Sequence, residues 1–483
     1  MTNRKVLLLE INEITWDLID GFIAAGKLPH FARLKQDGAW GTPLSVDRPP
    51  QLDPWITWTT LYTGQPQAEH NVFFLQQPPE TIKAKRIWER CEEHGLKVGV
   101  YGSLCSWPPR PVSGFYVPDT FSPDPQTYPE RLKPIQLLNL TYTRSVRLPS
   151  DQDSIWFKAE LAAQLVRLGL GPGTLLAVAK QLAGERMNPK TRWKRVALQP
   201  LVNFSFFRKL YRQYQPDFAT FHTNHVAHYQ HTYWKAMDPE KFRPLETTRE
   251  EIETYGPAIE HGYVTADQLL GRVMQLLDRH TVLVVASSMG QKPFQSALKG
   301  GKQIAQWRSL DALLDILGVR STAKAISTMS DEFVIYARPD SERDRISNML
   351  KTSYIDSPEQ KTFVVSSVDG AVRVNLKVYE IGRVKPTSII HFPEAPQSPT
   401  RQYDEVIYNT GHLKSGCHDE RGILIFYGAG IPRGLELAQY DNLNIAPTLM
   451  RVLGLPVPAE MRADPIREIV AEPQPAWRPH RVA

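Results

Sequence analysis

The chain has 483 residues, 42% hydrophobic and 22% charged, a balance that excludes a disordered protein and allows one large domain with insertions. Its 57 Lys and Arg against 51 Asp and Glu leave a formal charge of +6, spread along the chain without a block of like charges; this indicates no nucleic-acid partner and suits a small anionic or polar substrate. Three cysteines, Cys91, Cys105 and Cys417, exclude a disulfide framework and fit a reducing, cytoplasmic compartment.

The chain opens on the strand-like Val6-Leu7-Leu8-Leu9, and Glu10 and Glu13 leave that run too short and too acidic for a signal peptide. Helical patterns follow at 15–25 and 29–36. Asp53 precedes Pro54, the pattern of a helix N-cap followed by Pro at the first helical position. A helix at 85–94 and a strand at 97–102 complete a first core segment, 1–110. Residues 111–212 are Pro-rich, then helical, and read as a helical insertion or cap. Their most apolar stretch, 161–183, is broken by Arg167, Gly171-Pro172-Gly173 and Lys180, which predicts amphipathic helices and no membrane span. A second core segment, 213–291, holds strands at 217–221 and 281–286 around a helix at 257–277. Short alternating runs at 332–336, 362–366 and 372–376 mark 292–412 as an α+β insertion or cap. The last core segment, 413–470, holds a strand at 423–427 and a helix at 444–453, and 471–483 reads as a loosely ordered tail. Strands alternating with helices predict an α/β fold: a mostly parallel central sheet, helices on both faces, and ligands bound beyond the carboxyl ends of the strands.

The residues just after the strands are therefore the candidates. His222, His225, His228 and His231 recur every third residue, four of the chain's 13 histidines in ten positions. On a helix, residues three apart share a face, which predicts that His228 and His231 point together. Asn12 and Glu13 follow the first strand, and a loop there lets either side chain enter a site. Ser288 and Gln291 follow the strand at 281–286 and can offer hydrogen bonds to a substrate, as can Asn224. Asp53 is a carboxylate nucleophile or base if it is not merely a cap, and Thr57 is an alcohol nucleophile.

Four stretches, in order, carry a family pattern. They are Leu8-Leu9-Glu10-Ile11-Asn12 with Trp16-Asp17; Trp58-Thr59-Thr60-Leu61-Tyr62-Thr63-Gly64 with Glu69-His70-Asn71; Ile87-Trp88-Glu89 with Val98-Gly99-Val100 and Trp107-Pro108-Pro109; and His418-Asp419-Glu420-Arg421-Gly422 with Ala446-Pro447-Thr448-Leu449. Together they resemble the type I phosphodiesterase/nucleotide pyrophosphatase branch of the alkaline phosphatase superfamily. The resemblance implies an alkaline-phosphatase-like fold and a hydrolase of phosphate or sulfate esters. It also implies two metal ions, usually zinc, flanking a nucleophile, with Asp and His ligands.

Carried over position by position, the resemblance puts Asn12 where the family has a ligand Asp and Leu52 where it has the nucleophile. Ala227 replaces a second ligand Asp, Ser288 a third, and Met289 a ligand His, while His231 and His418 match ligand histidines. Two divalent cations without those carboxylates repel strongly, since even unit charges ~4 Å apart cost about 4 kcal/mol at an effective dielectric of 20. The expectation is a degenerate, at most mononuclear site: one zinc held by His228, His231 and His418, or no metal. Asn12, Asp53, Thr57 and His228 are then the catalytic candidates, and Glu13, Asn224, Ser288 and Gln291 the substrate-binding ones. Two alternatives stay open: a metal-independent transferase or lyase of specialised metabolism, and a non-catalytic ligand-binding descendant.

Overall fold

The computed structural model describes residues 4–143, 155–243, 245–294, 302–328, 331–368, 370–377 and 383–470; the expected tail, 471–483, lies outside the described residues. The chain divides into two compact units.

The first unit comprises residues 1–233, 249–292 and 418–483. Its sheet uses eight strands: β1 (Lys5–Ile11), β2 (Ala39–Gly41), β3 (Val98–Tyr101), β4 (Phe115–Val117), β5 (Phe218–Thr223), β6 (Thr281–Ser287), β7 (Ile423–Gly428) and β8 (Leu435–Glu436). Their order is β8-β2-β7-β6-β1-β5-β3-β4. β1 runs parallel to both β5 and β6, β3 runs parallel to β4 and β5, and only β7 is antiparallel to its neighbours, β2 and β6. Strands covered on both faces must be apolar throughout, and Val6–Leu9 and Val282–Ala286 are fully buried. Glu10 is the exception: it too is buried, at the end of that apolar run.

The helices of this unit include α1 (Trp16–Ala24), α2 (Pro29–Asp37), α3 (Pro54–Thr63), α4 (Ile87–Glu93), α5 (Ile155–Leu168), α6 (Pro172–Met187), α7 (Leu198–Tyr214), α8 (His225–Met237, which runs on into the second unit), α9 (Ala258–Met274) and α10 (Ile445–Val452). α3 is buried along its whole length, which explains why it shows no polar face in the sequence. The predicted elements at 15–25, 29–36, 85–94, 257–277 and 444–453 correspond to α1, α2, α4, α9 and α10. The short strands β2, β4 and β8 have no period-two signal long enough to read. β4 lies inside the 111–212 segment, so that segment begins as part of the sheet and not as a separate cap.

The register settles where a site can form. Ile11 pairs with Thr223 and Glu10 with Ala286, so β1, β5 and β6 end at the same edge of the sheet. Asn12–Glu13, Asn224–His225 and Ser287–Ser288 therefore emerge side by side.

The second unit comprises residues 234–248 and 293–417. It holds an antiparallel sheet of strands Phe363–Val368, Ala371–Leu376, Glu332–Ala337 and Ala323–Ser327, with helices Leu310–Ile316 and Asp340–Thr352. Its own core gathers Trp307, Leu313, Phe333, Ile335, Leu350, Val374 and Phe392. No helix among the described residues is long and apolar enough to cross a membrane.

Candidate active site

Glu13 is the centre of the site. Its φ is +62°, a left-handed conformation that costs an L-residue about 1–2 kcal/mol. Two hydrogen bonds hold the turn: the Asn12 amide donates to the Thr223 carbonyl at 3.0 Å, and Gln230 Nε2 donates to the Glu13 carbonyl at 2.7 Å. The turn swings the carboxylate off the strand and back across the sheet edge, where it is 2% exposed.

Three side chains meet it there. His231 Nε2, from α8, lies 2.9 Å from Glu13 Oε2. His418 Nε2, from the short strand Gly416–Asp419, lies 3.7 Å from the same oxygen. Gln291 Nε2 donates to it as well, and also to the Ala227 carbonyl at 3.2 Å. Burial raises the pKa of a carboxyl group, but the opposing charges of His231 and His418 and the hydrogen bonds from His231 and Gln291 outweigh it and bring Glu13 down to about 2.

Among the described residues, Glu13, His231 and His418 form the one group of three such side chains whose ligand atoms all lie within 4.8 Å of one another. The donor chemistry fits a metal ion. His418 Nδ1 sits 2.7 Å from the Leu52 carbonyl, which can only accept, so Nδ1 carries the hydrogen. Two imidazoles with one carboxylate are a zinc donor set.

The side chains at the neighbouring positions are hydrogen-bonded within the protein. Trp58 Nε1 donates to Asn12 Oδ1 at 2.7 Å, and Asn12 Nδ2 donates to Glu13 Oε1 at 2.9 Å and Asn224 Oδ1 at 2.7 Å. The Ser288 and Thr57 hydroxyls share a hydrogen bond of 2.7 Å, and both residues are fully buried, as is Met289.

Several expected residues stand differently from the sequence reading. His228 remains outside the candidate ligand group: three residues turn a helix by about 300°, which leaves its side chain exposed while His231 turns inward. Glu13, expected as a substrate contact, stands with His231 and His418. His225 is buried, bonded to Thr223 Oγ1 and the Gly262 carbonyl, and burial lowers its pKa to about 3. Asp53 occupies the N-cap position of α3 but makes no side-chain cap bond; its Oδ1 lies 3.5 Å from His418 Nδ1. Leu52, at the position matching the nucleophile, contributes only its carbonyl.

A second polar cluster lies behind the site. Buried Glu10 accepts from Tyr62 Oη at 2.7 Å and Ser103 Oγ at 3.0 Å, and pairs with His222 Nδ1 at 3.0 Å. The signal for it was in the sequence: a carboxylate inside a continuously apolar strand needs partners.

The family model for type I phosphodiesterase / nucleotide pyrophosphatase matches residues 6–377. Phosphonoacetate hydrolase from Sinorhizobium meliloti 1021, solved in complex with phosphonoacetate, superposes at 14% identity over 94% of this chain and 96% of that one, with a TM-score of 0.44. Murine ectonucleotide pyrophosphatase / phosphodiesterase 5 superposes at 11% identity over 94% and 96%, with a TM-score of 0.43. No curated protein matches the chain. The family match, which spans well over half of the chain, shows that it belongs to the type I phosphodiesterase / nucleotide pyrophosphatase family, phosphoester hydrolases of the alkaline phosphatase superfamily.

Proposed function

We propose that the chain hydrolyses a phosphate ester at a single-metal site whose ligands are Glu13, His231 and His418. The observation that carries this reading is the convergence of one carboxylate and two imidazoles within 4.8 Å, beside positions where the Asn12, Ser288 and Thr57 side chains are already hydrogen-bonded within the protein. Glu13 restores the anionic ligand that Ala227 cannot supply. A divalent cation in this set supplies Lewis-acid polarisation of a phosphoryl oxygen.

The protein's own groups do the rest. Leu52 has no nucleophilic atom, and the Thr57 hydroxyl is buried and held by Ser288, so water is the attacking group. Asp53, half-buried beside His418, is the carboxylate placed to take its proton. Gln291 Oε1 is buried without a hydrogen-bond partner, and accepts from a donor on the substrate or the incoming water.

The test is a zinc titration of metal-stripped protein, joined to turnover of bis-p-nitrophenyl phosphate, p-nitrophenyl phosphate and p-nitrophenyl sulfate. One equivalent of zinc and hydrolysis of a phosphate ester support the proposal. Two equivalents, or turnover indifferent to chelation, remove the single-metal reading. Turnover of the sulfate alone changes the substrate class.

A further inference from the structure

α6 presents the wrong face to solvent. A surface helix ordinarily buries its apolar stripe and exposes its polar one. Here the polar side chains point inward: Thr174 Oγ1 meets Ser205 Oγ at 2.8 Å, Gln181 Nε2 donates to the Thr191 carbonyl at 3.0 Å, and Glu185 pairs with Arg195. The outward stripe is aliphatic. Leu175, Leu176, Leu182 and Met187 are 42%, 56%, 48% and 88% exposed, with exposed Ala179 and Ala183 between them. Val166 on α5 is 50% exposed. The charged members of the α6 stripe, Lys180 and Arg186, are both basic.

The segment that carries α6 is basic, although Lys190 and Arg195 within it are paired with Glu250 and Glu185. Residues 155–215 hold eleven Lys and Arg against two acidic residues, Glu160 and Glu185, a formal charge of +9 in a chain whose total is +6. The basic excess is thus concentrated in this segment, not spread along the chain as its even composition suggests, and the remainder is net acidic.

We propose that the outward face of α6 docks on the surface of an anionic lipid bilayer. Exposed leucines enter the interface between headgroups and acyl chains, and Lys180 and Arg186 on the same face meet lipid phosphates; a helix of this kind lies in the plane of the interface and does not cross it. Charge argues against a second copy of the chain as occupant, since two such faces repel. A nucleic acid would engage the basic groups but gain nothing from an aliphatic stripe.

The experiment is co-sedimentation of the full chain with phosphatidylcholine vesicles, with and without phosphatidylglycerol. The expected result is binding at least about tenfold stronger to the anionic vesicles, weakened by salt. The double variant L176D/M187D loses it while its thermal unfolding and zinc binding stay unchanged, because both positions are exposed. K180E/R186E reduces it separately. Three results overturn the proposal: no preference for anionic vesicles, undiminished binding by L176D/M187D, or a wild-type dimer in light scattering that the same variant turns into monomers without any vesicle affinity. Binding to duplex RNA in place of vesicles overturns it too.

Discussion

His231 Nε2 stands 2.9 Å from Glu13 Oε2, although His231 lies on α8 and Glu13 on the turn that ends β1. The parallel pairing of β1 with β5 starts the Asn12–Glu13 turn and α8 at the same edge, and about two turns of α8 carry His231 back to Glu13.

Glu13→Gln keeps the shape of the side chain and removes its charge. Zinc affinity is expected to fall at least ~100-fold, since losing even an outer-shell partner of a metal ligand costs about 10–100-fold. Competition with a chromogenic chelator measures this. Unchanged affinity would show that Glu13 is not a ligand.

The depressed pKa of Glu13 also makes an acid-side prediction for the metal-free protein. Its folded value of about 2 lies below the ordinary 4.5, so its charged form stabilises the fold above pH 4.5, and that contribution is lost as the pH falls toward 2. The size is on the order of 3 kcal/mol. Urea unfolding between pH 5 and 2.5 should show a steeper loss in the wild type than in Glu13→Gln.

His70 and His225 act at milder pH. Both are buried with pKa values lowered to about 3, by burial in each case and at His70 also by the Arg86 charge. The unfolded chain takes up their protons below about 6.5 while the folded chain resists until about 3, so stability falls across that window. The slope is up to about 1.4 kcal/mol per pH unit for each histidine. A flat stability profile between pH 6.5 and 4 would contradict this.

Glu10→Leu leaves Tyr62 Oη, Ser103 Oγ and His222 Nδ1 without their shared acceptor in a buried strand. The expected cost is about 3 kcal/mol, from the penalty of unsatisfied buried groups. Chemical denaturation measures it. Zinc affinity should change little, because none of these groups belongs to the Glu13 cluster.

Restoring carboxylate and imidazole at the divergent positions tests the reading of the closed side of the site. The variant N12D/S288D/M289H is expected to bind a second equivalent of zinc and to lose the Thr57–Ser288 hydrogen bond. Stoichiometry by elemental analysis decides it, and one equivalent in the variant would mean that the pocket no longer has room for a second ion.

The apolar runs of β1, β5 and β6 were legible from the chain alone, because strands covered on both faces can hold little else. So were the family motifs and the uncharged residues Asn12, Ala227, Ser288 and Met289, since residue identity needs no coordinates. The place of Glu13 was not: spacing along the chain cannot say that a left-handed turn brings Glu13 to His231, nor that His228 stays outside that group. The same holds for α6. Periodicity shows that a helix has two faces, and the pattern is identical whichever one is buried. Only packing against the rest of the protein decides that Thr174, Gln181 and Glu185 turn inward and the leucines turn out, because that choice depends on partners contributed by distant segments.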